Sequence, residues 1–157
     1  MRRLIFSLFL LLLLSSCRNN KLDLNTGRIN LKIDIHRFDR ELFEMNVDTI
    51  PKAIDYLYNR YKDFLEIFSY KIITIGLPSE RTYPDYLLMF LNDGLNKEVY
   101  SETQKNFPDL SLEEKILTKA FKRYKYHFPD NEVPEVVAFV SRFNNACFTV
   151  SNFIGIG

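Results

Sequence analysis

EVVAFVSRFNNACFTVSNFIGIG, residues Glu135 to Gly157, ends the chain and decides its fold class. "EVVAFV" is rich in β-branched residues and reads as a strand. "ACFTV" and "FIGIG" flank the polar pair Ser151-Asn152, which predicts a hairpin of two short strands. At the other end, Ile29-Asn-Leu31-Lys-Ile33-Asp-Ile35-His36 alternates apolar and polar residues with the period of a half-buried strand.

Between these strands the period changes from two to three and four. From Ile50 the apolar positions Ala53, Ile54, Leu57, Tyr61, Phe64, Leu65 and Phe68 mark one face of a helix, with Asp48 or Thr49 as cap and Pro51 in its first turn. Pro84 within "TYPDYLLMFLNDG" starts a second helix that Gly94 can stop, and "NKEVYSETQKNF" supplies a third. Ser111-Leu-Glu-Glu114 has the spacing of a capping box. Behind it Leu112, Ile116, Leu117, Ala120, Phe121 and Tyr124 form one apolar stripe. The order of strand, helices, strand and hairpin predicts an α+β fold, with helices on one face of a small antiparallel sheet. Because "FIGIG" runs to the last residue, the sequence also leads us to expect a domain over residues 29–157 truncated from a longer reading frame.

The opening of the chain has a different character. Leu4 to Leu14 is an apolar run about half as long as the roughly 20 residues that cross a bilayer. Arg2 and Arg3 precede it and small residues follow, the order of a secretory leader. Leu14-Ser15-Ser16-Cys17 resembles a bacterial lipobox, which implies cleavage after Ser16 and a diacylglycerol thioether on Cys17. Residues 1–16 would then be the signal peptide and residues 17–28 a polar tether. Two or three acyl chains anchor a protein far more firmly than one. The competing readings are a plain signal peptide, leaving Cys17 free to pair with Cys147, and a buried helix, against which the run's lack of a polar face argues.

Loss of the leader removes Arg2 and Arg3, so 21 basic residues become 19 against 20 acidic ones. Such a balance offers no global field for nucleic acid. The 14 Phe, 9 Tyr and 46% hydrophobic content supply ample core. With Cys17 modified, Cys147 would stand alone, and a lone thiol of this kind is expected to be buried and inert.

Few residues offer chemistry. His36 and His127 are too far apart for a shared helical turn, so no metal site is expected. His36 reads as an exposed strand position and His127 as a helix C-terminal residue suited to the macrodipole. No serine sits in a nucleophile elbow, and Gly155-Ile-Gly157 is too short to cradle phosphate. No catalytic residue, metal or cofactor is assigned. The basic, aromatic run "KAFKRYKYHFPD" reads as a solvated helix face, with contact to acidic lipid headgroups or an acidic partner as the second reading.

"IDIHRFDRELFEM", Ile33 to Met45, and the stretch from Ala120 to Gly157 resemble the gliding motility lipoprotein GldB family. The residues that carry this are Arg37-Phe38-Asp39, Leu42-Phe43, the run from Tyr124 to Asp130, Pro134 and Ile154-Gly-Ile-Gly157. The resemblance implies a non-enzymatic envelope lipoprotein, facing the periplasm, with protein partners in the gliding or type IX secretion machinery and a lipid anchor in the membrane. Arg18 after Cys17, where an inner-membrane retention rule would want Asp, favours the outer membrane over the inner. Where Arg142 and Asn145 stand, the family pattern would have glycine and tyrosine. A likeness to zinc-peptidase folds gives the alternative, an envelope hydrolase whose metal-binding helix lies beyond Gly157. A third possibility is a lipid- or glycan-binding lipoprotein that uses exposed tyrosines.

Overall fold

A computed structural model describes residues 25–157. The leader, Cys17 and the first part of the tether lie outside the described residues. Four short strands, β1 (Ile35–Arg37), β2 (Glu135–Ala138), β3 (Cys147–Val150) and β4 (Phe153–Ile156), form one sheet in the order β1-β2-β4-β3. Among the described residues, six α-helices complete the α+β fold: α1 (Phe38–Phe43), α2 (Ile50–Tyr61), α3 (Asp63–Ile67), α4 (Tyr83–Asn92), α5 (Gly94–Asn106) and α6 (Ser111–His127).

The class is as expected, but the pairing and layering differ. The sheet is mixed: β1 and β4 both run parallel to β2, and only the β3–β4 hairpin is antiparallel. Parallel partners need a long crossover, and the five helices between Phe38 and Asn106 together with α6 supply it for β1 and β2. Helices also cover both faces. Along β2, Val137 and the following Phe139 enter a large core with α1–α4, while Val136 and Ala138 enter a smaller one beneath Leu117 and Phe121 of α6. Period-two alternation in a strand buried on both sides divides its residues between two cores in this way.

Alternation at Ile29–His36 resolves differently, since only Ile35–Arg37 join the ladder. The amide of Ile33 donates to Thr118 Oγ1 at 2.9 Å and that of Ile35 to Glu114 Oε1 at 3.0 Å. Helix α6 thereby satisfies donors along a sheet edge that would otherwise be open to pairing. The expected capping box does not form, because the N-cap position falls on Leu110, one residue before Ser111, and Glu114 reaches to the strand. Asp109 caps instead, accepting the Ser111 N–H at 2.9 Å, and contacts with Ser111 hold its carboxyl below the usual range.

The helix expected from Ile50 to Phe68 is broken at Lys62, which has φ +40° and ψ −116°, and a π-helical turn continues from Phe68 to Ile72. Its apolar phase survives the break, because Leu57, Tyr61, Phe64, Leu65 and Phe68 all remain buried in one core. A non-glycine residue in that backbone region costs on the order of 1–3 kcal/mol. Lys62→Gly is therefore expected to stabilise the protein by about 1 kcal/mol, read as a rise in the urea midpoint at unchanged slope. At the next junction Asp93 accepts the Asn96 N–H at 3.0 Å, so Gly94 opens α5 instead of ending α4.

Gly155 has a packing role. A β-carbon there would lie 2.6 Å from the Phe148 ring and 3.0 Å from that of Phe64, so only glycine lets both rings close on β4.

Candidate functional site

The three parallel strands end at Arg37, Ala138 and Ile156, and a cavity of about 390 Å³ opens beyond those carboxyl ends. This edge of a parallel sheet is where α/β proteins place ligand crevices. Val99, Thr103 and Phe107 of α5 and its end form one wall, Leu110 and Glu113 a second, and the Ser141–Ala146 loop the rim.

Arg37 and Asp39 are the charged residues at its base. Asp39 is 2% exposed and accepts from Arg37 Nε at 2.9 Å, Arg37 Nη2 at 2.6 Å and Gln104 Nε2 at 2.8 Å. Arg37 also donates to the Phe107 carbonyl at 3.1 Å and to Gln104 Oε1 at 2.8 Å, while Arg40 reaches that same oxygen at 2.7 Å. The bond to Asp39 holds the Arg37 guanidinium firmly protonated. Their two-residue spacing works because Arg37 ends a strand and Asp39 lies in the first turn of a helix; the bend turns both side chains toward α5. The network fastens α5 to the sheet. At the base of the apolar recess, Arg37 and Asp39 are directed at one another.

The rim is strained. Arg142 and Phe143 have φ of +53° and +64°, and Phe143 is 92% exposed. The resemblance leads us to expect glycine where Arg142 stands, and a positive φ is where glycine would sit without strain. The arginine pairs with Asp93 and with the buried Asn96. Asp93, held below the ordinary carboxylate range first by the Asn96 amide and then by Arg142, links the rim to the start of α5. A second cavity, about 380 Å³, lies beside this link between Ile73, Tyr86, Met89 and Asn144.

The other residues singled out in the sequence lie apart. His36 is half-buried rather than exposed. Its Nδ1 lies 3.0 Å from Arg60 Nη2, which must donate, so Nε2 carries the proton and faces Glu135 Oε2 at 3.0 Å. His127 ends α6 and is exposed, with its ring edge-on to Tyr126. Cys147, expected to be buried, is exposed at the first position of the outer strand β3. Cys17 is outside the described residues. Among those residues no three His, Cys, Asp or Glu side chains could hold a metal ion, and no helix is long and apolar enough to cross a membrane.

The model of the family described as gliding motility protein GldB matches residues 19–157, which takes in the whole of this fold. The chain belongs to the GldB family. It is thus a lipoprotein-family chain related to gliding motility and associated with the cell envelope. No similar protein was found among curated proteins or among solved structures. Within this GldB-family chain the Arg37-Phe38-Asp39 triplet acquires physical roles: Phe38 is fully buried in the larger core, and its two neighbours form the ion pair beneath the cavity.

Proposed function

We propose that this GldB-family chain is held to a membrane of the cell envelope by acyl chains on Cys17, faces the periplasm, and serves the gliding and type IX secretion apparatus as a non-enzymatic scaffold. The family match over residues 19–157, beginning just behind Cys17, carries the reading. The sheet-edge cavity supports it, because Arg37 and Asp39 at its base are held by each other and by Gln104 and leave an apolar recess suited to a partner's side chains. Residues 1–16 act as signal peptide and residues 17–28 as the tether, with the outer membrane as the anchoring site.

Mass spectrometry of the mature protein tests the anchor. The expected product begins at Cys17 with its thioether lipid, and Cys17→Ala is expected to abolish membrane retention and impair gliding and secretion together. An unmodified Cys17 thiol in a freely soluble wild-type protein would overturn the proposal.

A further inference from the structure

The apolar stripe expected on α6 is divided in the folded chain. Leu117 and Phe121 pack on the sheet, but Leu112 and Ile116 point away from it, 63% and 58% exposed. Leu112, Ile116, Lys119, Arg123 and Tyr126 follow one another at steps of four, three, four and three, so they share one outward face, with Lys115 on its flank. Phe128, 53% exposed, lies just past the helix end against the ring of Tyr124, on the side of Leu117 and Phe121, so Tyr126 is the aromatic residue of the outward face. The face thus has two aliphatic side chains at one end, Tyr126 at the other, and cations between.

Those cations have no internal employment. Among the described residues, none of Lys115, Lys119, Lys122 or Arg123 lies within ion-pair distance of a carboxylate. The acids of the same helix are turned elsewhere: Glu114 accepts the Ile35 amide and Glu113 lines the cavity. A merely solvated face has no use for exposed leucine and isoleucine. A protein groove that took this face would need acidic residues set between apolar pockets, whereas an anionic bilayer surface offers both along its whole extent. Aliphatic and aromatic side chains mixed with lysine and arginine suit the boundary between headgroups and acyl chains, where apolar groups dip in and cations meet phosphates.

We infer that the outward face of α6 lies on the membrane surface and is recognised by anionic phospholipid headgroups. The 17 residues of α6 give a contact roughly 25 Å long. This inference rests on the reading that the chain is held at a membrane. In that setting the lipid on Cys17 would keep the face near the bilayer, and α6 would set which side of the body turns toward it.

Vesicle co-sedimentation separates the two ideas. Both described cores are built from Leu31 to Ile156, so a chain starting at residue 17 keeps every layer of the fold. Made with Cys17→Ala to exclude any lipid, this chain is expected to bind phosphatidylglycerol-rich vesicles and to leave pure phosphatidylcholine vesicles nearly untouched. Reversing Lys115, Lys119 and Arg123 to Glu should weaken binding at least about tenfold at low salt, since each cation near an anionic surface contributes to attraction. Leu112→Ser with Ile116→Ser should also weaken it. Reversing Lys52, Lys71 and Lys97, which give the same change in net charge elsewhere on the surface, should have little effect. Circular dichroism checks that each variant is folded. No binding to either vesicle, equal binding to both, or equal losses from the two triple reversals would overturn the inference, and none of these outcomes bears on whether the wild-type Cys17 is acylated.

Discussion

Phe64→Ala is expected to destabilise the protein by about 3–5 kcal/mol, the range for truncating a buried phenylalanine. Phe64 is fully buried and joins most of the layers. Its ring stacks on Phe148 with centroids 5.0 Å apart and on Phe68 at 6.4 Å, meets Phe38 edge-on at 5.3 Å, and touches Tyr61, Phe139 and Phe153. Those partners come from α1, α2, the π-helical turn, the end of β2 and both hairpin strands. Truncation therefore removes contacts from several elements at once, and the close approach at Gly155 loses one of its two rings. A domain of this size has total stability on the order of 5–15 kcal/mol, so the variant should retain little of it. Urea unfolding measures the change. Phe64→Leu, which keeps most of the volume, should cost about 1.5 kcal/mol or less; an Ala variant within that same margin would show that the rings repack around the gap.

The sequence displays this core better than it displays the architecture around it. Leu57, Tyr61, Phe64 and Phe68 are readable as one apolar face because helical periodicity survives the break at Lys62, whereas nothing in lysine itself announces a positive φ. The two last strands are legible from their flanking polar turn. Their partners are not, because strand periodicity reports which side chains share a face and says nothing of whether a neighbour runs parallel. That is why a mixed sheet emerges where an antiparallel one was expected. Leu112 and Ile116 mislead for a related reason: at steps of three and four, Leu112, Ile116 and Lys119 share a face as readily as Leu117 and Phe121 do, and only the packing against Ile35 and Val136 selects the latter. At the cavity, Arg37-Phe38-Asp39 was visible only as a family likeness. An Arg and an Asp two apart would point the same way in a strand and apart in a helix, so their pairing depends on the strand-to-helix junction between them, which sequence periodicity does not locate. Gln104, their third member, carries no local signal at all.

Asp39→Ala should cost about 3–5 kcal/mol, the usual loss when one member of a buried ion pair is removed. The wild-type carboxylate has three donors within hydrogen-bond distance, from Arg37 and Gln104, so its desolvation is matched by contacts. In the variant the Arg37 side chain, 16% exposed, would keep only the Phe107 carbonyl and Gln104 Oε1 while still carrying its charge. The unbalanced cation, more than the lost bonds, makes the change expensive, and this distinguishes the mechanism. If it is correct, combining Asp39→Leu with Arg37→Met should be less damaging than Asp39→Ala alone, because an apolar pair of similar volume carries no buried charge. A double-mutant cycle in urea would give the coupling directly, with a large favourable term expected between the two positions. Additive losses would mean that Arg37 finds solvent when Asp39 is removed. The same cycle bears on the cavity: α5 is fastened to the sheet through Gln104, so the loss of Asp39 should loosen the Val99–Phe107 wall and raise amide exchange there before it does so in α2.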